Sequence, residues 1–187
     1  MSMKKAAFTL FLVLSFLPVF AKQTPSESVY RERPDDPFAV YFEGKSGTDV
    51  TSLLQQNIND LKERDNFGII FIPEGKYYLS GTIYIPPAIR LIGYGESRPE
   101  FILKDNCPAF RTPPPGDKGE AVYLFWFTGS IVRDPSRVSD ANSGTFYSAF
   151  SNIDITIGKG NPNAVALRTH YAQHCFISFC DINIGEG

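Results

Sequence analysis

The spacing of apolar positions along the chain changes once, near residue 68. Before it, Val50, Leu53, Leu54, Ile58 and Leu61 recur at the interval that lines one face of a helix, while Gln55, Gln56, Asn59, Lys62 and Glu63 fall on the other. Thr48 or Asp49 supplies a capping side chain, and the helix is expected to end near residues 64–66, with Gly68 just beyond. After it, apolar residues come in short runs broken by Gly and Pro: GIIFIPEG, KYYLSG, TIYIPP, IRLIGYG and EFILK. Ile and Tyr dominate these runs, which marks them as strands. No helical pattern separates them, so they do not form βαβ units.

Residues 105–148 read as an insertion, in which two turn-rich loops, TPPPGDKGE and DPSRVSDANSG, flank one aromatic strand, AVYLFWF. Trp126 in that strand is a candidate platform for stacking a sugar ring. The other reading is burial in the core, where strand alternation places most such residues. Residues 22–46 are polar and Pro-rich and are expected to form an irregular leader.

IDITIGKG at residues 153–160 returns as CDINIGEG at 180–187, an offset of 27 positions from 153 to 180. A repeat of that length made of short strands fits one coil of a parallel β-helix. Alternation turns Ile153, Ile155 and Ile157 inward, with Cys180, Ile182 and Ile184 on the next rung. Asp154, Thr156, Asp181 and Asn183 turn outward. Neighbouring strands lie about 4.8 Å apart, which would stand Asp154 and Asp181 one above the other. Gly158, Gly160, Gly185 and Gly187 turn the corner, and LIGYG at 91–95 offers a similar one. The expected fold is therefore all-β: a right-handed parallel β-helix whose N-terminal end is capped by the amphipathic helix. A solenoid needs both ends covered. No polar terminal unit follows the second rung, so residues 47–187 are expected to be the N-terminal part of a longer β-helix domain.

Lys4 and Lys5 precede an apolar run from Ala6 to Phe20, and Val19-Phe20-Ala21 suits a cleavage site. Residues 1–21 read as a secretory signal peptide, because the run is shorter than the roughly 20 residues of a membrane span. Export places the mature chain in the secreted or periplasmic space of a bacterium, with no membrane contact after cleavage. The chain carries 18 Lys and Arg against 20 Asp and Glu, and losing Lys4 and Lys5 deepens that acidity. Without a basic stripe, nucleic acid is excluded as a partner. Cys107, Cys175 and Cys180 are odd in number, so at least one stays unpaired. A Cys175–Cys180 bridge, a reactive thiol and buried apolar thiols all remain open.

Three sets of side chains carry possible chemistry. Asp154 and Asp181 form a pair suited to one acid and one nucleophile or base, since retaining glycosidases place theirs at roughly 5–5.5 Å. The alternative is a solvent-facing structural ladder, and two carboxylates are too few to specify calcium. His170 and His174 stand i, i+4 in HYAQH, a metal-binding spacing on a helix. The surroundings read as strand and turn, and Tyr171 stands where a zinc protease carries its Glu, so no metal site is expected. Arg168 and His170 share a strand face and are candidates for polar contact with a sugar, or for local hydrogen bonds.

GTDVTSLLQQNINDL followed by GIIFIPEGKYYLSGTIYIPPAIRLIGYG resembles the opening of the pectate-lyase-like superfamily of right-handed β-helix proteins. That superfamily includes rhamnogalacturonase/epimerase-like domains and laminarin-degrading exo-glucanases. Asp49, Thr51, Leu53 to Leu61, Gly68, Pro73, Gly75, Tyr77 and Gly93 occupy the positions of that opening. NPNAVALRTHYAQHCFISFCDINIG is similar to a coil segment of secreted members, so the resemblance covers residues 47–104 and 150–187. It implies a carbohydrate-active protein with a polysaccharide partner: a glycoside hydrolase or polysaccharide lyase acting on a cell-wall or storage polymer. It implies no cofactor, calcium entering only if the reaction is a lyase's. The Gly-His-Gly and Arg-x-Lys signatures of polygalacturonase-type members do not occur here, which places the catalytic residues downstream. A non-catalytic, glycan-binding or adhesin-like β-helix is the alternative, since fold alone does not fix function.

Overall fold

The computed structural model describes residues 26–112 and 121–185. The expected signal peptide, most of TPPPGDKGE and the corner residue Gly187 lie outside them. Strand β1 (Val40–Tyr41) and helix α1 (Thr51–Asp65) come first. Strands β2 (Gly68–Pro73), β3 (Lys76–Leu79), β4 (Ile83–Ile85), β5 (Ile89–Tyr94), β6 (Glu100–Leu103) and β7 (Val122–Phe127) follow. Then come β8 (Ala149–Ser151), β9 (Asp154–Ile157), β10 (Ala164–Arg168), β11 (Phe176–Ser178) and β12 (Ile182–Ile184). They pair into three sheets, ordered β1-β2-β5-β8-β11, β3-β6-β9-β12 and β4-β7-β10. From β2 onward each strand passes to the next sheet, and every named pair is parallel, so the chain winds as a parallel β-helix.

The offset read in the sequence is a true rung: Ile182 pairs with Ile155, Asn183 with Thr156 and Ile184 with Ile157. The rung beneath it is not LIGYG. Phe101 pairs with Ile155 and Leu103 with Ile157, whereas Leu91 pairs with Phe150 in another sheet. Strand β7 is likewise no insertion, because it lies between β4 and β10 with Phe125 opposite both Ile83 and Leu167. Only the loops on either side of it are added length.

Inward positions stack from coil to coil, as in-register parallel strands require. Tyr77 stacks on Phe101 in this way, and a chain of ring contacts crosses the core from sheet to sheet through Phe42, Tyr77, Phe101, Phe125 and Phe150, with centroid separations of 5.5, 5.6, 5.3 and 4.8 Å. Each such contact adds about 0.5–1.5 kcal/mol beyond the area it buries. Tyr77 keeps its polar end satisfied by donating its hydroxyl to the Pro73 carbonyl at 3.0 Å. Burial pushes its phenol up to about 12.

Helix α1 covers the first coil, with Leu54, Ile58 and Leu61 buried in the same core as Ile70 and Ile85. Leu53, expected on that face, stays exposed at its edge. Val50 takes the N-cap position without a side-chain bond. Asp49, one residue earlier, accepts from the Thr51 amide and hydroxyl at 3.0 and 2.7 Å. Asn66 ends the helix in the left-handed conformation.

The leader is less irregular than its composition predicts. Val40 and Tyr41 pair with Ile70 and Phe71. Residues 26–30 form a strap across two coils. The Val29 amide donates to Asn152 Oδ1 at 3.0 Å, and Asn152 Nδ2 donates to Ser28 Oγ and to the Gly93 carbonyl, both at 2.8 Å.

The corner glycines serve two different needs. Gly160 adopts a φ of 70°, where glycine is cheapest. Gly158 has no positive φ; a Cβ there would stand 2.5 Å from the Leu103 carbonyl oxygen of the coil below. Ile182 and Ile184 point along the core direction as expected, but in the last described coil nothing packs beyond them, and Ile184 is 74% exposed. All three cysteines are free. Among the described residues no helix is long and apolar enough to cross a membrane.

Candidate functional site

Strands β4, β7 and β10 place Tyr84, Trp126 and Arg168 side by side in one register row. The core takes both Leu124 and Phe125, and likewise packs against both Ala166 and Leu167. Two consecutive inward residues break the alternation in each strand, which brings Tyr123 onto the outer face with Trp126. Their rings meet edge to face at 5.0 Å. The Arg168 guanidinium lies over both, 4.7 Å from the Tyr123 ring and 5.3 Å from that of Trp126.

The centre of this cluster is Asp140, which comes from the long loop after β7. Thr128 and Asp140 form an antiparallel bridge that docks the loop against the strand end. The carboxylate accepts from Trp126 Nε1 at 2.8 Å, from Arg168 Nε at 3.1 Å and from Arg168 Nη2 at 2.8 Å. His170 Nδ1 lies 2.8 Å from Oδ2. Arg168 Nη1 donates to the Tyr123 hydroxyl at 2.7 Å.

Partial burial alone would raise the Asp140 pKa, but hydrogen bonds from Arg168, Trp126 and His170 outweigh it and hold the carboxyl below its ordinary value. The hydrogen bond to Asp140 in turn raises Arg168. A carboxylate held this way stays ionised at neutral pH. Because an ionised carboxylate only accepts, His170 donates from Nδ1 to Asp140 Oδ2, and its ring is otherwise exposed.

Trp126, Arg168 and His170, picked out in the sequence, are thus brought together. Asp140, Tyr84 and Tyr123 were not anticipated. Tyr84 and Tyr123 follow once the register of β4, β7 and β10 is known; Asp140 sits in a turn-rich loop with no periodic signal.

Asp154 and Asp181 lie on a different sheet and do not form an open acid pair. Asp154 faces outward yet is only 6% exposed. Arg98 lies between the two carboxylates, its Nε 2.9 Å from Asp154 Oδ1 at an angle that makes an ion pair but no hydrogen bond. Its Nη2 contacts Asp181 Oδ2. The Asp181 amide donates to Asp154 Oδ1 at 2.9 Å, and Ser26 Oγ of the strap reaches Asp181 Oδ2 at 3.1 Å. A calcium ion does not fit there, because a guanidinium already supplies the positive charge between the carboxylates. His174 stacks on Tyr147, with ring centroids 5.1 Å apart, while His170 turns to Asp140, so the HYAQH histidines share no ligand. Among the described residues no three His, Cys, Asp or Glu side chains converge on a metal position.

A family model described as rhamnogalacturonase A/epimerase, pectate lyase-like matches residues 42–187, a range that includes β7 and the loops flanking it. No curated protein and no solved structure matches the chain.

Proposed function

Since the chain belongs to the rhamnogalacturonase A/epimerase, pectate lyase-like family, which suggests a carbohydrate-active protein, we propose that it is a secreted glycoside hydrolase or polysaccharide lyase. Its polysaccharide lies across the outer face of β4, β7 and β10. The observation that carries this placement is the convergence of Trp126, Arg168 and His170 on Asp140. Tyr84 and Trp126 offer ring faces to the apolar side of a sugar, the usual work of aromatic residues that are wet at one end. Asp140 and Tyr123 leave some of the five Arg168 N–H groups free for hydroxyls. His170 Nε2 adds a hydrogen-bonding atom beside them. Asp140 holds all three in place without touching the ligand.

The test is binding and turnover on neutral β-glucans and on pectins, following reducing ends and the absorbance of unsaturated products. Trp126→Ala is expected to lower polymer affinity severalfold, since a ring stacked on an aromatic side chain contributes on the order of 1 kcal/mol, and His170→Ala by a similar factor through the loss of a hydrogen bond. Undiminished binding by both variants would sink the placement. Binding without turnover on any polymer would replace the enzyme with a glycan-binding β-helix.

A further inference from the structure

A second cleft lies on a different sheet. It opens where β2, β5 and β8 begin, has a volume of about 1130 Å3, and is lined by Phe38, Phe67, Phe146, Tyr147 and Arg90 among others. Phe67 is 67% exposed and Phe38 83%. Large rings left bare around one concavity mark an interaction site more than isolated surface phenylalanines do. The backbone points the same way. Ala88 and Tyr147 line the cleft with φ of 63° and 62°, a left-handed conformation that residues with a Cβ adopt at a cost and that clusters at functional positions.

Other than Arg90, the charged groups of the cleft are engaged in hydrogen bonds or an ion pair. Lys62 donates to the carbonyls of Asn66 and Pro87, each at 2.8 Å. Asp65 pairs with Arg64, and Asp36 Oδ1 accepts the Phe38 amide at 2.9 Å. Arg90 differs. Its Nε donates to the Tyr147 carbonyl at 3.0 Å, and its two terminal nitrogens have no carboxylate partner among the described residues. A guanidinium anchored through Nε presents its remaining nitrogens as a fork, the geometry that takes a carboxylate bidentately.

We propose that this cleft binds a carboxylate carried on a ring with an apolar face. The carboxylate sits on the Arg90 fork, and the ring packs against Phe67 and Tyr147. A neutral sugar or a purely apolar ligand leaves the Arg90 charge unanswered. Two sources share the required chemistry, a uronic acid unit of a polysaccharide and a free hydroxycinnamic acid. The site does not depend on the Asp140 cluster or on the reaction assigned above.

Calorimetric titration with a galacturonic acid trisaccharide, with ferulate, and with the methyl ester of each decides the matter. At least one acid is expected to bind, with its ester weaker by about tenfold or more, as loss of a charge-assisted hydrogen-bonded pair implies. Arg90→Gln should lose a similar factor while its circular dichroism is unchanged. Phe67→Ser, at an exposed position that the fold does not need, should also weaken binding. Binding by the trisaccharide alone assigns a uronate, and binding by ferulate alone assigns a phenolic acid. Equal affinity for acid and ester, unchanged affinity in Arg90→Gln, or no binding of either acid overturns the proposal.

Discussion

Arg168 embraces Asp140 side-on: Nε reaches both carboxylate oxygens at 3.1 Å, and Nη2 reaches Oδ2 at 2.8 Å. The pair ties strand β10 to a loop that has no other regular structure. Both side chains keep some contact with water, which reduces the contribution to about 1–2 kcal/mol. Asp140→Asn is expected to lower thermal stability by about that amount. It should also weaken polysaccharide binding, because Arg168, Trp126 and His170 lose their common anchor. Melting curves and affinity electrophoresis read the two effects separately.

Acid should remove the same contribution. The folded-state pKa of Asp140 lies below its ordinary 3.8, so the stabilisation is present above that value and is lost as pH falls through the depressed one. Asp49, lowered against the effect of its own burial by hydrogen bonds from Ser80, Thr51 and Lys104, adds to the trend. The melting temperature of the wild-type protein should fall steeply below about pH 4, and less steeply in Asp140→Asn. Parallel acid profiles for the two proteins would refute the assignment to Asp140.

Alkali acts on the core. Tyr77 is raised from 10.0 to about 12 chiefly by burial, with the negative charges of Tyr94 and Glu74 adding to it. Its contribution is complete below pH 10 and is lost as pH rises through the folded-state value. Spectrophotometric titration should show a late tyrosine phase that coincides with unfolding, and its amplitude should fall in Tyr77→Phe.

Space between coils is tested by Gly158→Ala. The new methyl meets the Leu103 carbonyl at 2.5 Å and the Asp105 carboxylate at the same distance. A destabilisation of about 3 kcal/mol is expected, at the upper end of overpacking costs. Gly47→Ala is the comparison: φ is 82° there but nothing lies within 4 Å, so only backbone strain of about 1 kcal/mol applies. Equal costs in denaturant titrations would show that conformation, and not room, decides both positions.

Much of this architecture is legible in the sequence where one coil follows another without added length. β9 and β12 are such a case, and Ile155 over Ile182 was readable from two octets. The coil before them carries loops on both sides of β7, so Phe101 under Ile155 leaves no fixed period, and LIGYG, similar in its glycines, turns a corner between a different pair of sheets. Outward residues were harder still. Alternation correctly turns Asp154 away from the core but says nothing of Arg98, which reaches it from a turn 56 positions earlier in number and covers it. Asp140 is the extreme case, since its partners are set by the docking of an irregular loop, a tertiary event without a local signature.

The strap of residues 26–30 bears on rates more than on architecture. Its contacts with Asn152 and Asp181 span 123, 124 and 155 residues. Closing loops of that length is entropically unfavourable until the coils exist to receive the strap. It is therefore expected to dock late, after the transition state, and interactions made that late slow escape from the native state without hastening arrival. A chain lacking residues 26–30 should refold at nearly the wild-type rate and unfold faster, with only the unfolding limb of its denaturant dependence displaced. On that outcome the leader sets the lifetime of the folded protein, and with it resistance to proteolysis that proceeds through global opening.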